Sequence, residues 1–193
     1  MKTCFTSTAI AIFSLLSLAS CAPAQQVKNV GASKDSSVTY NTDMCGDTAC
    51  ALISHGMEPT LVASSTTDQA SRILLAFSMP SGIKKSSQIV KCELQMQRPV
   101  KDVDGKYTLF VSEVSGSWSE NSVNALTDIK PGSVVGSIDA EGGERPGPID
   151  VTQACQDAAG RNELGLLVDS SGPEVVFPSV NTGAASMLRI TMS

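Results

Sequence analysis

Aromatic side chains are scarce in this chain: one tryptophan, two tyrosines and five phenylalanines among 193 residues. The core of a domain this size has a claim on each of them. There is one histidine, His55, so a zinc site built on imidazole has little to work with. Positive charge is also short, with 14 Lys and Arg against 19 Asp and Glu. An acidic chain of this kind is a poor candidate for nucleic acid. No nucleophile elbow or phosphate-cradling glycine loop is present, and no Asn-x-Ser/Thr sequon. Carboxylate pairs occur throughout, but without geometry they are no glycosidase signature. The reading is therefore not an enzyme.

The one long apolar run is at the start. Lys2 precedes "AIAIFSLLSLA" (9–19), and "APA" (22–24) has the small-x-small form of a cleavage site. Residues 1–24 read as a signal peptide, and the run is too short to span a bilayer. An exported protein without a transmembrane segment follows, secreted and extracellular. The alternative is a bacterial lipoprotein anchored at Cys21, because "LASC" (18–21) matches a lipobox. Cleavage after Ala24 removes 24 of the 193 residues and leaves 169, one domain of ordinary size.

The mature chain keeps Cys45, Cys50, Cys92 and Cys155. An even number in an exported protein reads as two disulfides with three possible pairings. A Cys45–Cys50 bridge would close a small loop. A Cys92–Cys155 bridge would pin a helix to a strand and close about sixty residues, contributing about 4 kcal/mol by loop entropy.

Residues 25–37 are polar and without periodicity and read as a leader, which becomes an edge strand near Val38–Tyr40. Short apolar runs follow at 60–63, 72–77, 89–96, 107–114, 133–138, 149–151, 164–168, 174–177 and 187–191, separated by breaks such as "MPSG", "DVDG" and "SSGP". That spacing predicts an all-β fold over 38–193. In "IVKCELQM" the alternation puts Val90, Cys92, Leu94 and Met96 inward and Lys91, Glu93 and Gln95 outward. One short α-helix is expected at about 152–159, capped by Asp150 or Thr152 and ended by Gly160.

"SRILLAFSMP", "KCELQMQRP", "LFVSEVSGSWSENSVN", "IDVTQAC" and "FPSVNTGAASMLRIT" occur in the order of the DNRLRE domain, carbohydrate-binding module family 96. The chain resembles secreted fungal members of that family over residues 38–192. The resemblance implies a jelly-roll-like antiparallel β-sandwich that binds polysaccharide without catalysis, alginate being the family's best-known ligand class. The alternative is a secreted cell-surface structural or interaction protein, or an effector, using the sandwich as a scaffold.

Four candidate features remain. Trp118 can offer its face to a sugar ring, but the core claim on it is stronger. Glu120 then accepts backbone N–H groups in the turn that follows it. Lys84, Lys85, Lys91, Arg98, Lys101 and Lys106 could form a basic stripe for uronate carboxylates, with Lys91, Arg98 and Lys101 as its contacts; a solvated face is the plainer reading. Asp139, Glu141 and Glu144, near a Gly-rich turn, are candidates for structural calcium, although the spacing is not that of an EF-hand. The expected partner is a polysaccharide and the expected state a monomer.

Overall fold

The computed structural model describes residues 25–41, 53–65 and 69–193. Ten strands and one helix follow in order: β1 (Gln26–Asn41), β2 (Thr60–Ser65), β3 (Gln69–Ser78), β4 (Ile89–Gln95), β5 (Lys106–Ser115), β6 (Lys130–Glu141), β7 (Ile149–Asp150), α1 (Thr152–Asp157), β8 (Glu163–Ser171), β9 (Val175–Pro178) and β10 (Met187–Met192). Every strand pairing is antiparallel. The all-β expectation holds, and each anticipated apolar run lies in or against a strand.

The strands run β6-β5-β8-β3-β1-β10-β4-β7, with β2 joining β3 to β9. Strand β1 serves two sheets. Its first half, 26–31, pairs with β10, and its second, from Ala32, pairs with β3 across a register shift between Ala32 and Lys34. A bulge of this kind bends a strand and lets one chain turn the corner between two layers. At the far ends β6 packs on β7, where the Gly136 Cα faces the Asp150 carbonyl. The result is a nearly closed, sandwich-like barrel.

The edge strand expected near Val38–Tyr40 is there, paired on one side with β3, while the polar leader expected over 25–37 is instead most of β1. The sequence conceals this because β1 buries little apolar surface. Its buried members after Ala32 are Asp35, Ser36, Ser37 and Val38. Backbone pairing, with β10 along its first half and β3 along its second, holds it rather than side-chain alternation.

The main core fills the space between the layers with Leu61, Ile73, Leu75, Phe77, Leu94, Met96, Leu109, Leu166, Phe177, Leu188 and Ile190 among others. The alternation read in β4 holds from Cys92 onward but fails at Val90, which is 48% exposed, while Ile89 is buried. The pairing with β10 slips there: Thr191 faces Lys91 and Met192 faces Ile89. That bulge turns Val90 and Lys91 both outward.

Helix α1 is two residues shorter than expected. The N-cap position is Val151, without a side-chain cap bond, and the Thr152 amide donates at 2.9 Å to Oδ1 of Asp150, one residue earlier. The Thr152 hydroxyl accepts instead from the Cys92 amide at 2.9 Å. Cys92 and Cys155 are joined, closing a separation of 63 residues between β4 and the helix. Gly160 has φ +82°, the left-handed ending expected of it. Cys45 and Cys50 lie outside the described residues. Among the described residues no helix is long and apolar enough to cross a membrane.

Candidate functional site

Trp118 belongs to a second core. Val38, Leu74, Ala76 and Leu167 stand on the outer face of the β1-β3-β8-β5 layer beside Val114 of β5, and the segment after β5 folds over them with Trp118 and Val123. Trp118 is 7% exposed. Its ring is a lid against the sheet and not a platform for ligand.

Glu120 accepts a backbone N–H, though not from the turn that follows it. Glu120 Oε1 accepts from the Asp35 amide in β1 at 3.1 Å. The partner is 85 residues away in sequence because the lid lies across β1. The Glu120 carbonyl accepts from Ser54 Oγ at 3.0 Å, and a Cβ at Gly56 would overlap that carbonyl.

Beneath Glu120 is a buried carboxylate that the sequence reading missed. Asp35 accepts from Ser179 Oγ at 2.9 Å and from the Val180 amide at 2.7 Å. Burial pushes its carboxyl above the ordinary 3.8; those two hydrogen bonds oppose the shift, and the Glu120 charge adds to it. Asn181 Nδ2 donates to the Gly56 carbonyl at 2.9 Å and so completes a polar clasp between β1, the loop before β2 and the turn after β9. His55 Nδ1 lies 2.7 Å from Glu58 Oε1 beside it. The only advance signal was the polar run "SKDSS" in a chain otherwise patterned for burial.

The basic residues separate. Lys84 and Lys85 precede β4, while Arg98 and Lys101 follow it, so the length of a strand divides them. Arg98 Nε donates to the Gly143 carbonyl at 2.7 Å and its Nη2 lies 3.8 Å from Glu144. Lys101 is exposed on the β4–β5 loop. Lys91 alone is on the open face of the β1-β10-β4-β7 layer. There its Nζ is 2.6 Å from Glu93 Oε1, and Glu93 Oε2 accepts from Arg189 Nη1 at 3.3 Å. Arg189 pairs across with Asn29 on one side and Glu93 on the other. The face thus presents Asn29, Arg189, Thr191, Lys91, Gln95 and Asp150 around one nearly buried carboxylate. Arg189 was legible as an outward residue of "MLRIT", but its meeting with Lys91 depends on the β10–β4 register. Two hydrogen bonds from Thr152, side chain and then backbone, hold the Asp150 carboxyl below its ordinary value.

Of the three calcium candidates, Glu144 separates from Asp139 and Glu141. Asp139 Oδ1 accepts from Thr108 Oγ1 at 2.7 Å, and Glu144 faces Arg98. Among the described residues no group of three or more His, Cys, Asp or Glu side chains is placed to hold a metal ion. Asp139 and Glu141 instead line an open cavity of about 580 Å³ with Lys106, Tyr107, Thr108, Ala140, Ser171 and Gly172. The volume lies within the usual range for small-molecule sites. Tyr107 is 2% exposed, and its hydroxyl has no hydrogen-bond partner among the described residues. Burial pushes that phenol above its ordinary value. A buried hydroxyl left without a partner costs about 1–3 kcal/mol.

No protein-family model matches the chain. A protein of the fungus Arthroderma benhamiae, described as an uncharacterized secreted protein, is 26% identical over 192 residues, covering 97% of this chain and 96% of that one. The two chains are similar from end to end.

Proposed function

We propose that the protein is a secreted, monomeric, non-catalytic binder of cell-wall polysaccharide, a module of the family-96 type. The observation that carries this reading is the open face of the β1-β10-β4-β7 layer. Glu93 sits 7% exposed between Lys91 and Arg189 and fixes two cationic donors in place while leaving their other N–H groups outward. Asn29, Thr191 and Gln95 extend the same face with neutral donors and acceptors. Sugar hydroxyls and uronate carboxylates are both partners for such a surface. Glu93 offsets part of the positive charge, so geometry counts for more here than net attraction.

Secretion is supported by the N-terminal signal pattern and by the description of the Arthroderma protein. Asp35 and Glu120 are one closely placed acid pair, and both accept hydrogen bonds inside the fold. The large exposed apolar side chains, among them Val27, Met57, Val90, Val100, Leu126 and Val134, are spread over three strands and three loops. That distribution favours a glycan over a protein partner.

Affinity electrophoresis against alginate, pectate, chitin, β-glucan, mannan and xylan, with and without EDTA, tests the reading. Retardation by at least one polymer is expected, and it should be lost in the Lys91→Glu, Arg189→Glu double variant. Equal migration in every gel overturns it.

A further inference from the structure

The open face of the β1-β10-β4-β7 layer carries Lys91 and Arg189 against Glu93 and Asp150, two positive charges and two negative, a formal sum of zero. Lys28 alternates to the other side, opposite the buried Ile190. Lys91 has a carboxylate on each side. Its ammonium lies 2.6 Å from Glu93 Oε1, and its charge adds to the Thr152 hydrogen bonds that hold the Asp150 carboxyl low. Arg189 Nη1 donates to the other Glu93 oxygen at 3.3 Å. Both oxygens of Glu93 are therefore engaged by the two cations, and the group itself is nearly buried. A ligand meets the outer N–H groups of Lys91 and Arg189 and not Glu93. Two apolar side chains border the cations. Val27 stands in one row with Thr191 and Lys91 across β1, β10 and β4. The bulge in the β4–β10 pairing turns Val90 outward beside Lys91. Both valines are about half exposed.

We propose that this face selects neutral polysaccharide over acidic polysaccharide, and that Glu93 sets the selection. The inference rests on the glycan-binding reading of the same face and narrows its ligand class. A sugar hydroxyl accepts from the outer N–H groups of Lys91 and Arg189 while both keep their bonds to Glu93. A uronate carboxylate in the same place competes with Glu93 for its two partners and is repelled by Glu93 and Asp150. The positive charge that would draw it in is already balanced on the face, and the chain as a whole, at −5, adds no attraction. The C–H groups of a neutral pyranose ring have Val27 and Val90 to pack against. Glu93 is thus a positioning residue, which acts on the ligand through Lys91 and Arg189.

Affinity electrophoresis of the wild type and Glu93→Gln at low and high salt provides the test. The wild type should be retarded more by one of β-glucan, mannan or xylan than by alginate or pectate, and salt should not weaken that retardation. Glu93→Gln keeps the size of the side chain and one acceptor oxygen but removes the charge. It should bind alginate or pectate about tenfold more tightly, in a salt-sensitive way, and the neutral polymer several-fold more weakly. A merely structural glutamate would lower affinity for both classes together. Asp150→Asn, at the exposed rim, should shift the balance in the same direction and serves where the Glu93 variant does not fold. Stronger retardation of the wild type by an acidic polymer than by any neutral one overturns the proposal and leaves the glycan-binding reading in place. A preference for neutral polymer that neither variant changes overturns the role of Glu93. No retardation by any polymer ends the glycan-binding reading, and this inference with it.

Discussion

Lys34 Nζ lies 4.6 Å from the centre of the Trp118 ring and donates a hydrogen bond to the Trp118 carbonyl at 2.9 Å. It also lies 3.2 Å from Glu163 Oε1. One side chain of β1 therefore holds the lid segment by its ring and its backbone at once. Trp118→Ala should destabilise the protein by about 3–5 kcal/mol, the cost of emptying a large buried site. Lys34→Met should cost about 0.5–2 kcal/mol through the lost ring contact. Chemical denaturation followed by the fluorescence of a lone tryptophan reads the second variant, and circular dichroism reads the first. Where Trp118→Ala remains folded, glycan retardation should be unchanged; a loss of retardation with stability intact would return Trp118 to the ligand.

Reducing the Cys92–Cys155 bond removes a constraint over 63 residues of chain. The double variant Cys92→Ser, Cys155→Ser should lose about 4 kcal/mol on the loop-entropy account. Both sulfurs are buried against the core, so mild reductant should leave the native protein oxidised and act only as it unfolds. Thiol titration across a denaturant series checks this: free thiols from this pair should appear with the unfolding transition and not before it.

Two carboxylates tilt stability with pH in opposite directions. Burial raises the folded-state pKa of Asp35, so between 3.8 and that raised value the folded protein holds a proton that the unfolded chain has released. Its contribution is complete below 3.8 and is lost as pH rises through the folded pKa. Asp150 is the reverse. Its folded pKa is lowered by Thr152, so its contribution is present above 3.8 and is lost as pH falls through the folded value. Measured against the Asp35→Asn variant, wild-type stability should decline as pH rises from 3.8 through the raised folded value. Against Asp150→Asn it should decline in the opposite sense, toward acid. Denaturant midpoints at a series of pH values give both slopes, and two profiles of the same sign would refute the assignment.

The strands were legible because burial on one face imposes a period of two, and turn residues punctuate it. The short helix was legible for the same local reason, although its N-cap is Val151 rather than Asp150 or Thr152. What could not be read was anything set by register or by a bulge. Val90 faces outward because the β4–β10 pairing slips beside it, and no local feature of "IVKCELQM" encodes that slip. Strand β1 was read as a leader because its core-facing positions include Asp35, Ser36 and Ser37. These are polar groups, and the Asp35 partners Ser179 and Val180 lie about 145 residues away. The basic cluster failed as a single stripe because neighbours in sequence at 84–106 lie at opposite ends of β4, whereas Lys91 and Arg189, 98 positions apart, meet through one carboxylate.

Gly56 offers the sharpest test of the clasp. A methyl group there would overlap the Glu120 carbonyl oxygen and come within 2.7 Å of Glu120 Cγ. Neither side can yield freely. Glu120 is held by Ser54 Oγ and the Asp35 amide, and the Gly56 carbonyl is held by Asn181. Gly56→Ala should therefore cost about 1–3 kcal/mol, the range for overpacking a filled site. The loss should be local before it is global. The Asp35 amide, whose acceptor is Glu120, should lose hydrogen-exchange protection first, while amides of the β3–β8 ladder keep theirs until global unfolding. Uniform loss of protection across both regions would mean that the clasp and the sheet open as one unit, and that Glu120 holds the two layers together rather than fastening only the lid.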